Sequence, residues 1–311
     1  MDTSLSGRDL LSLGDLTPEE LALILDTAVA QKRDWAAGIH ETPLAGKAIA
    51  LIFQKPSMRT RVSFEVGCVR LGAHPVVMSG PDGAFSRGET VFDTTKVLER
   101  FCDAIVIRTF AQATVDEMAQ VAHVPIVNAL TDDHHPCQGL ADLLTIREHF
   151  GALSSLKLAY VGDGNNMANT YLLGGALAGM EVAIATPLGY HAAESVVEQA
   201  RAIATGTGAR ITVTHDAAEA VADANVVITD TWASMGREEE HAERVKAFAP
   251  FCVDESLMSK AATDAAFMHC LPAHRGEEVV DAVIDAPFSL VFDEAENRLH
   301  AQKALLSLLL G

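Results

Sequence analysis

The stretch Leu156–Thr186, LKLAYVGDGNNMANTYLLGGALAGMEVAIAT, decides the fold. It opens on an apolar run over 156–162 and breaks at Gly162-Asp163-Gly164. A helical stretch over 166–180 follows, and a second apolar run closes it at 181–186. Short, near-continuous apolar runs suit strands buried on both faces, and such strands belong to parallel sheets covered by helices. The same alternation runs outward in both directions. Strands are predicted at 47–53, 103–109 and 125–129 before this stretch, and at 210–214, 225–230 and 266–271 after it. Helical patterns such as 60–72, 90–100, 136–150 and 191–204 lie between them. Thr17-Pro18-Glu19-Glu20 reads as a capping box with proline at the first helical position, starting a helix that runs to about Gly38. Strand–helix alternation along the whole chain predicts an α/β protein with two doubly wound parallel-sheet domains.

A length of 311 residues suits two domains. No Pro/Gly/Ser linker separates them, so the helix 136–150, ending at Gly151, is the candidate hinge. The first domain is expected over 1–140 and the second over 141–292. A long helix over 293–311 is expected to pack back on the first.

Residues of the AVILMFWYC set make up 49% of the chain and aromatics only 5%, which favours helix-covered sheets over a sandwich or barrel. A formal net charge of −19 argues against nucleic acid or an anionic membrane as a partner. An anionic ligand must therefore be held by a local cationic pocket. Met1 to Leu16 lacks an apolar h-region, so no signal peptide is expected. No apolar run approaches the roughly 20 residues needed to span a bilayer. The five cysteines are odd in number and none pair at metal-ligand or redox spacing, which reads as reduced thiols in a cytoplasmic enzyme. Cys68 and Cys102 are expected in the core.

Several segments carry chemistry. In Phe53–Glu65, FQKPSMRTRVSFE, a strand runs into Pro56 and a helix opens near Ser57. A helix start offers N–H groups and a positive dipole end to an anion. Ser57 and Thr60 add hydroxyls, and Arg59 adds a planar fork matched to phosphate oxygens. Arg61 should point elsewhere. An ordinary N-capped helix with solvated arginines is the plainer reading, and no Walker A pattern is present. Arg108 ends a β-branched strand, where either an anionic ligand or a structural carboxylate would satisfy it. In His134–His149, Pro136 fits a first helical turn. His135 and Gln138 would then project to the sheet edge, the first toward a carbonyl oxygen and the second toward an amide.

Gly162 and Gly164 suggest a dinucleotide loop, but Met167 stands where the third glycine belongs and the next strand ends in Thr186-Pro187 rather than an acid. Asn165 and Asn166 would cap the following helix and could face a substrate carboxylate. Asp230, ending a strong strand, could receive an ammonium group, and Ser234 a carboxylate; an Asx-type turn explains the same residues without a ligand. Cys270 lies at a strand end before Leu271-Pro272. His269, Cys270 and His274 do not match a standard zinc spacing, and no metal is expected.

Together, Ser57-Met58-Arg59-Thr60, His135-Pro136-Cys137-Gln138, Gly162-Asp163-Gly164-Asn165-Asn166, Asp230 with Ser234-Met235-Gly236, and His269-Cys270-Leu271-Pro272 resemble the aspartate/ornithine carbamoyltransferase family, over essentially the whole chain. The last two segments favour its ornithine branch. The resemblance implies a carbamoyl-phosphate domain followed by an ornithine domain, and transfer of a carbamoyl group from carbamoyl phosphate to the side-chain amine of ornithine, without a cofactor. It implies that Ser57, Met58, Arg59, Thr60, Arg108, His135, Gln138 and Arg298 bind carbamoyl phosphate. Asn166, Asp230, Ser234 and Met235 would hold ornithine, with Cys270 and Leu271 between the two ligands and also counted among the carbamoyl-phosphate-binding residues. Arg59, Arg108, His135, Asp230 and Cys270 would carry the catalysis, and domain closure on the ligands is expected. A homotrimer, or a multiple of trimers, is also implied. The alternatives are a carbamoyltransferase for putrescine or an N-acylated ornithine, or a non-catalytic anion- or nucleotide-binding module.

Two positions depart from the family pattern. Met58 replaces a threonine, so a hydroxyl is lost while the backbone N–H remains. Ala84 stands where relatives often carry a glutamine reaching a neighbouring subunit's site; that amide contact is then either absent or supplied otherwise, with Arg87 the candidate.

Overall fold

The structure is a computed structural model and describes residues 5–80, 85, 88–233 and 240–311. The chain divides into two compact units. One takes in the chain up to Leu144 together with Glu296–Gly311, and the other spans Thr145–Ala295.

The first unit is built on strands β1 (Ala48–Phe53), β2 (His74–Ser79), β3 (Ala104–Arg108) and β4 (Ile126–Leu130). Among the described residues they form one parallel sheet in the order β2-β1-β3-β4. The chain enters at β1, adds β2 on one side, then crosses to add β3 and β4 on the other. That reversal leaves a crevice outside the carboxyl ends of β1 and β3, where doubly wound sheets bind ligands. The register pairs Phe53 with Arg108, so both strands deliver their last residues to the same edge. Ile105, Ile107, Ala50, Ile52 and Ile126 lie in one core cluster with Val115 and Met118.

Helix α1 (Pro18–Ala36) starts as the capping box requires. Thr17 Oγ1 accepts from Glu20 N at 3.2 Å, and Glu20 Oε2 accepts from Thr17 N at 2.9 Å. Helix α2 (Met58–Arg70) follows β1, α3 (Val91–Leu98) follows β2 and α4 (Gln112–Val121) follows β3. Helix α5 (Pro136–Phe150) leads into the second unit, and the last helix, α12 (Val291–Leu310), returns to the first. There α12 packs beside α1: Lys32 Nζ donates to Asn297 Oδ1 at 2.8 Å and Gln31 Nε2 to Ser307 Oγ at 2.9 Å.

The second unit holds β5 (Lys157–Val161), β6 (Glu181–Ala185), β7 (Arg210–Thr214), β8 (Val226–Thr229) and β9 (Ala266–His269). Its parallel sheet runs β7-β6-β5-β8-β9, so the reversal falls between β5 and β8. Helices α6 (Asn166–Leu177), α7 (Glu194–Thr207) and the short α8 (Ala217–Val221) connect the first four of these strands. Between β8 and α12 lie α9 (His241–Phe248), α10 (Glu255–Met258) and α11 (Asp281–Ile284). Every residue of α6 from Met167 to Leu177 is buried, the polar Asn169 and Thr170 included.

Two elements of the first unit stand where the sequence reading placed none: β2 and α4. Strand β2 lies at the sheet edge, carries Pro75 and buries no residue fully, so it lacks the continuous apolar run of its neighbours. The α/β class, the parallel sheets and the returning last helix are as expected.

Candidate active site

In the first unit, Ser57 is the N-cap of α2: its backbone is extended and its side chain accepts from Thr60 N at 3.2 Å. A serine here stabilises the helix start by about 1 kcal/mol relative to alanine. Met58 occupies the first helical position with its side chain exposed, so what it brings to the strand edge is backbone. Arg61 turns away and pairs with Glu65 one helical turn on, Nε to Oε1 at 2.6 Å.

Thr60 is 1% exposed and sits at the meeting point of two guanidinium groups. Arg298, from α12, donates from Nη2 to Thr60 Oγ1 at 3.1 Å, and Arg108, from the end of β3, donates from Nη1 at 3.5 Å. Arg298 also donates from Nη1 to Gln138 Oε1 at 2.6 Å, and Gln138 Nε2 donates to Asp142 Oδ1 at 2.7 Å. His135, Gln138, Arg108 and Arg298 are all buried. Burial holds the His135 imidazole well below its usual pKa, and the positive charges of Arg298, Arg108 and Arg59 push in the same direction. It is therefore a neutral ring among cations. Concentrated positive charge inside a strongly acidic chain is the electrostatic signature of an anion receptor.

The amide of Gln302 is satisfied in one orientation. With its oxygen toward Arg298 it accepts from Nη2 at 3.0 Å and from Nε at 3.2 Å, while its nitrogen donates to Ser63 Oγ at 2.6 Å. The sequence reading did not single out Gln302 or Ser63.

The second unit assembles another set at the carboxyl ends of β5, β8 and β9. Asp230 follows β8 and is 9% exposed. Its Oδ2 accepts from Asn165 Nδ2 at 3.0 Å, and its Oδ1 accepts from Thr231 N at 2.8 Å and from the Cys270 thiol at 3.2 Å. Asn165 is the N-cap of α6, its Oδ1 accepting from Met167 N at 2.9 Å. Asn166, the residue singled out for the ligand, is the first helical position beside it. Tyr160 donates to Asn165 Oδ1 at 3.3 Å. Burial keeps the Tyr160 phenol protonated, with the negative potential of Asp230, Asp163, Cys270 and Glu278 adding to the effect. Ser234 and Met235, like Ala84 and Arg87, lie outside the described residues.

Cys270 and Leu271 are held by their flanks. Leu271 adopts φ +56°, and its N–H donates to Nδ1 of His269 at 2.8 Å. His269 must then carry its proton on Nε2, which lies 3.1 Å from Glu278 Oε1, and both residues are fully buried. His269 is thus engaged at both nitrogens by protein and Cys270 by Asp230. His274, Glu277 and Glu278 each bring a ligand-capable atom within 4.8 Å of the others.

Buried Arg244 donates from Nη1 to Asp163 Oδ2 at 2.8 Å and to Trp232 O at 2.7 Å. It thereby bridges the two loops that carry Asn165 and Asp230. Gly164 explains the glycine-rich turn without a nucleotide: a Cβ there would lie 2.1 Å from His191 C and 2.2 Å from Ala192 N. The glycine makes room for the β6–α7 connection at His191 and Ala192 rather than for a pyrophosphate.

Comparison with known proteins matches both units to one family. Residues 8–148 match the carbamoyl-P binding domain, and residues 154–309 the Asp/Orn binding domain, of aspartate/ornithine carbamoyltransferase. The chain is 55% identical over 306 residues to an ornithine carbamoyltransferase of Anoxybacillus flavithermus, covering 98% of each chain. It is 53% identical over 311 residues to one of Carboxydothermus hydrogenoformans, covering 100% of each. The structure of ornithine carbamoyltransferase from Pyrococcus furiosus superposes with a TM-score of 0.96 at 50% identity, over 99% of this chain and 98% of that one.

Proposed function

Because the chain belongs to the aspartate/ornithine carbamoyltransferase family, we propose that it transfers the carbamoyl group of carbamoyl phosphate to the side-chain amine of L-ornithine, giving L-citrulline and phosphate. The observation that carries this reading is Thr60, whose one hydroxyl oxygen receives both Arg108 and Arg298 at the open end of a doubly wound sheet.

Carbamoyl phosphate brings a phosphate dianion and a carbonyl oxygen that gains charge as the amine attacks. Ser57, Arg59, Arg298 and the positive end of α2 suit the phosphate. Thr60, Arg108 and neutral His135 suit the carbonyl oxygen, and donors of this kind are worth roughly 3–4 kcal/mol each in the transition state. A neutral imidazole donates a hydrogen bond without itself becoming an acid strong enough to protonate the phosphate early.

The amine must arrive unprotonated. Asp230 and the Cys270 thiol are suited to orient it and to share its proton, and Asn166, Ser234 and Met235 to hold the amino-acid end. The nitrogen–carbon bond forms, the carbon–oxygen bond to phosphate breaks, and the proton lost by the amine leaves with phosphate or solvent. Positioning of two substrates supplies up to about 7–11 kcal/mol, the same scale as the three carbonyl-oxygen donors together.

Among the described residues no helix is long and apolar enough to cross a membrane. A cytoplasmic homotrimer, as the resemblance implies, completes the proposal. The test is citrulline formation from carbamoyl phosphate, with ornithine, aspartate, putrescine and N-acetylornithine assayed side by side. Turnover with ornithine at least tenfold above every other amine is the expected result; a preference for another amine, or binding without turnover, overturns the reading.

A further inference from the structure

We propose that Gln302 is a positioning residue of the anion pocket, an uncharged bracket that fixes the Arg298 guanidinium without neutralising it. The inference rests on the reading of Arg298 as a carbamoyl-phosphate ligand.

Arg298 and Gln302 are four residues apart on α12, so they share one face of that helix. The Gln302 oxygen receives two N–H groups of the same guanidinium, Nη2 at 3.0 Å and Nε at 3.2 Å. One oxygen thus engages the edge of the guanidinium that a carboxylate would normally meet with two. The other end of the amide is tied to Ser63 Oγ at 2.6 Å, and Ser63 Oγ donates to Thr60 O at 3.2 Å. The bracket therefore runs from Arg298 through Gln302 and Ser63 back to Thr60, whose hydroxyl receives Arg298 directly at 3.1 Å. Gln302 and Thr60 are each 1% exposed, and Ser63 is 9% exposed, so this ring of hydrogen bonds is not in exchange with bulk water.

Two properties follow from the chemistry of the amide. It holds the plane of the guanidinium, since both accepted hydrogen bonds lie on one edge of the fork. It also adds no negative charge, so the positive potential of Arg298 remains available to a dianion. Glutamate would keep the grip on Arg298 while cancelling its charge and losing the N–H that reaches Ser63. Methionine, of similar length, would keep the charge and lose the grip.

The experiment compares Gln302→Glu, Gln302→Met and Arg298→Gln with the native enzyme. It measures KM for carbamoyl phosphate, KM for ornithine, kcat, and calorimetric affinity for inorganic phosphate. For Gln302→Glu, KM for carbamoyl phosphate should rise by about tenfold or more and phosphate affinity fall in step, the scale of one hydrogen bond to a charged group. KM for ornithine should stay within about twofold. Gln302→Met should raise KM for carbamoyl phosphate by a smaller, several-fold factor and lower kcat, because a loosened guanidinium still attracts the dianion but no longer presents one geometry. Carbamoyl-phosphate KM and phosphate affinity within twofold of native in Gln302→Glu overturn the proposal. If that variant does not fold, Gln302→Met decides, and a carbamoyl-phosphate KM within twofold of native overturns it. Arg298→Gln separates the two levels. If it weakens carbamoyl phosphate while the Gln302 variants do not, only the bracket fails; if it too leaves the affinity unchanged, the ligand role of Arg298 fails first.

Discussion

The Cys270 thiol donates a 3.2 Å hydrogen bond to Oδ1 of Asp230, the carboxylate whose Oδ2 takes the Asn165 amide at 3.0 Å. One carboxylate thus collects a thiol from the end of β9 and an amide from the start of α6. Asp230→Asn removes the charge that suits an amine's proton, and kcat/KM for ornithine should fall by about 100-fold or more, the range of a lost charge-assisted contact. Cys270→Ala should lower kcat with ornithine as well. Calorimetry should find carbamoyl phosphate bound normally in both. Unchanged ornithine kinetics in either variant would assign that side chain a purely structural role.

Arg59 lies in the first turn of α2, half-buried, and its charge reaches His135. Arg59→Ala should cripple turnover and weaken phosphate binding while the melting temperature moves little, since the α2 cap is made by Ser57. Near-native kinetics in this variant would remove Arg59 from the pocket.

The neutral state of His135 has a pH consequence with a definite sign. Burial and three arginines hold its pKa well below 6.5 in the folded chain. Below about pH 6.5 the unfolded chain takes up a proton that the folded chain refuses, so this residue contributes full stability above that pH and loses it as pH falls. Urea denaturation at pH 8 and pH 5 should show a smaller loss for His135→Gln than for the native protein. An equal loss in both would mean that His135 titrates normally.

Thiol reactivity should be uneven. Burial pushes the Cys68 and Cys137 thiols up to about 12, and it also raises those of Cys102 and Cys252. Only a thiolate attacks alkylating reagents quickly. Iodoacetamide at pH 8 should therefore modify Cys68 and Cys137, which are fully buried, far more slowly in folded than in urea-unfolded protein. Peptide mapping that finds Cys68 or Cys137 modified at a comparable rate in folded and unfolded protein would contradict this.

Gly164 is fixed by backbone rather than by a flexible neighbour. Gly164→Ala would set a Cβ against His191 and Ala192 main-chain atoms at 2.1–2.4 Å. It should cost about 1–3 kcal/mol or more through overpacking, and ornithine use should suffer because Asn165 is the next residue. Chemical denaturation with a parallel ornithine KM checks both.

What the sequence makes legible depends on how costly each residue would be in a plain role. Strands β3, β5 and β8 are runs of buried apolar residues and read directly. Arginine at the end of such a strand, as at Arg108, demands a partner, and a serine-capped helix after a strand invites an anion. Strand β2 is hard to read because an edge position tolerates Pro75 and partial exposure. Gln302 is illegible for another reason: a glutamine on a helix is ordinary until folding sets it against Arg298. The same holds for the Asn165 contact with Asp230 and for the Glu278 partner of His269, where the meaning lies in pairing across β-strand ends rather than in local pattern.

Thr60 and Arg298 touch although 238 positions separate them, with the whole Thr145–Ala295 unit lying between. A ribosome must therefore finish translating the second unit before the first can be closed. Until then the nascent first unit presents Thr60 and Gln138 without the guanidinium that joins them. Contacts of such long range slow folding, so this half of the protein begins first and matures last.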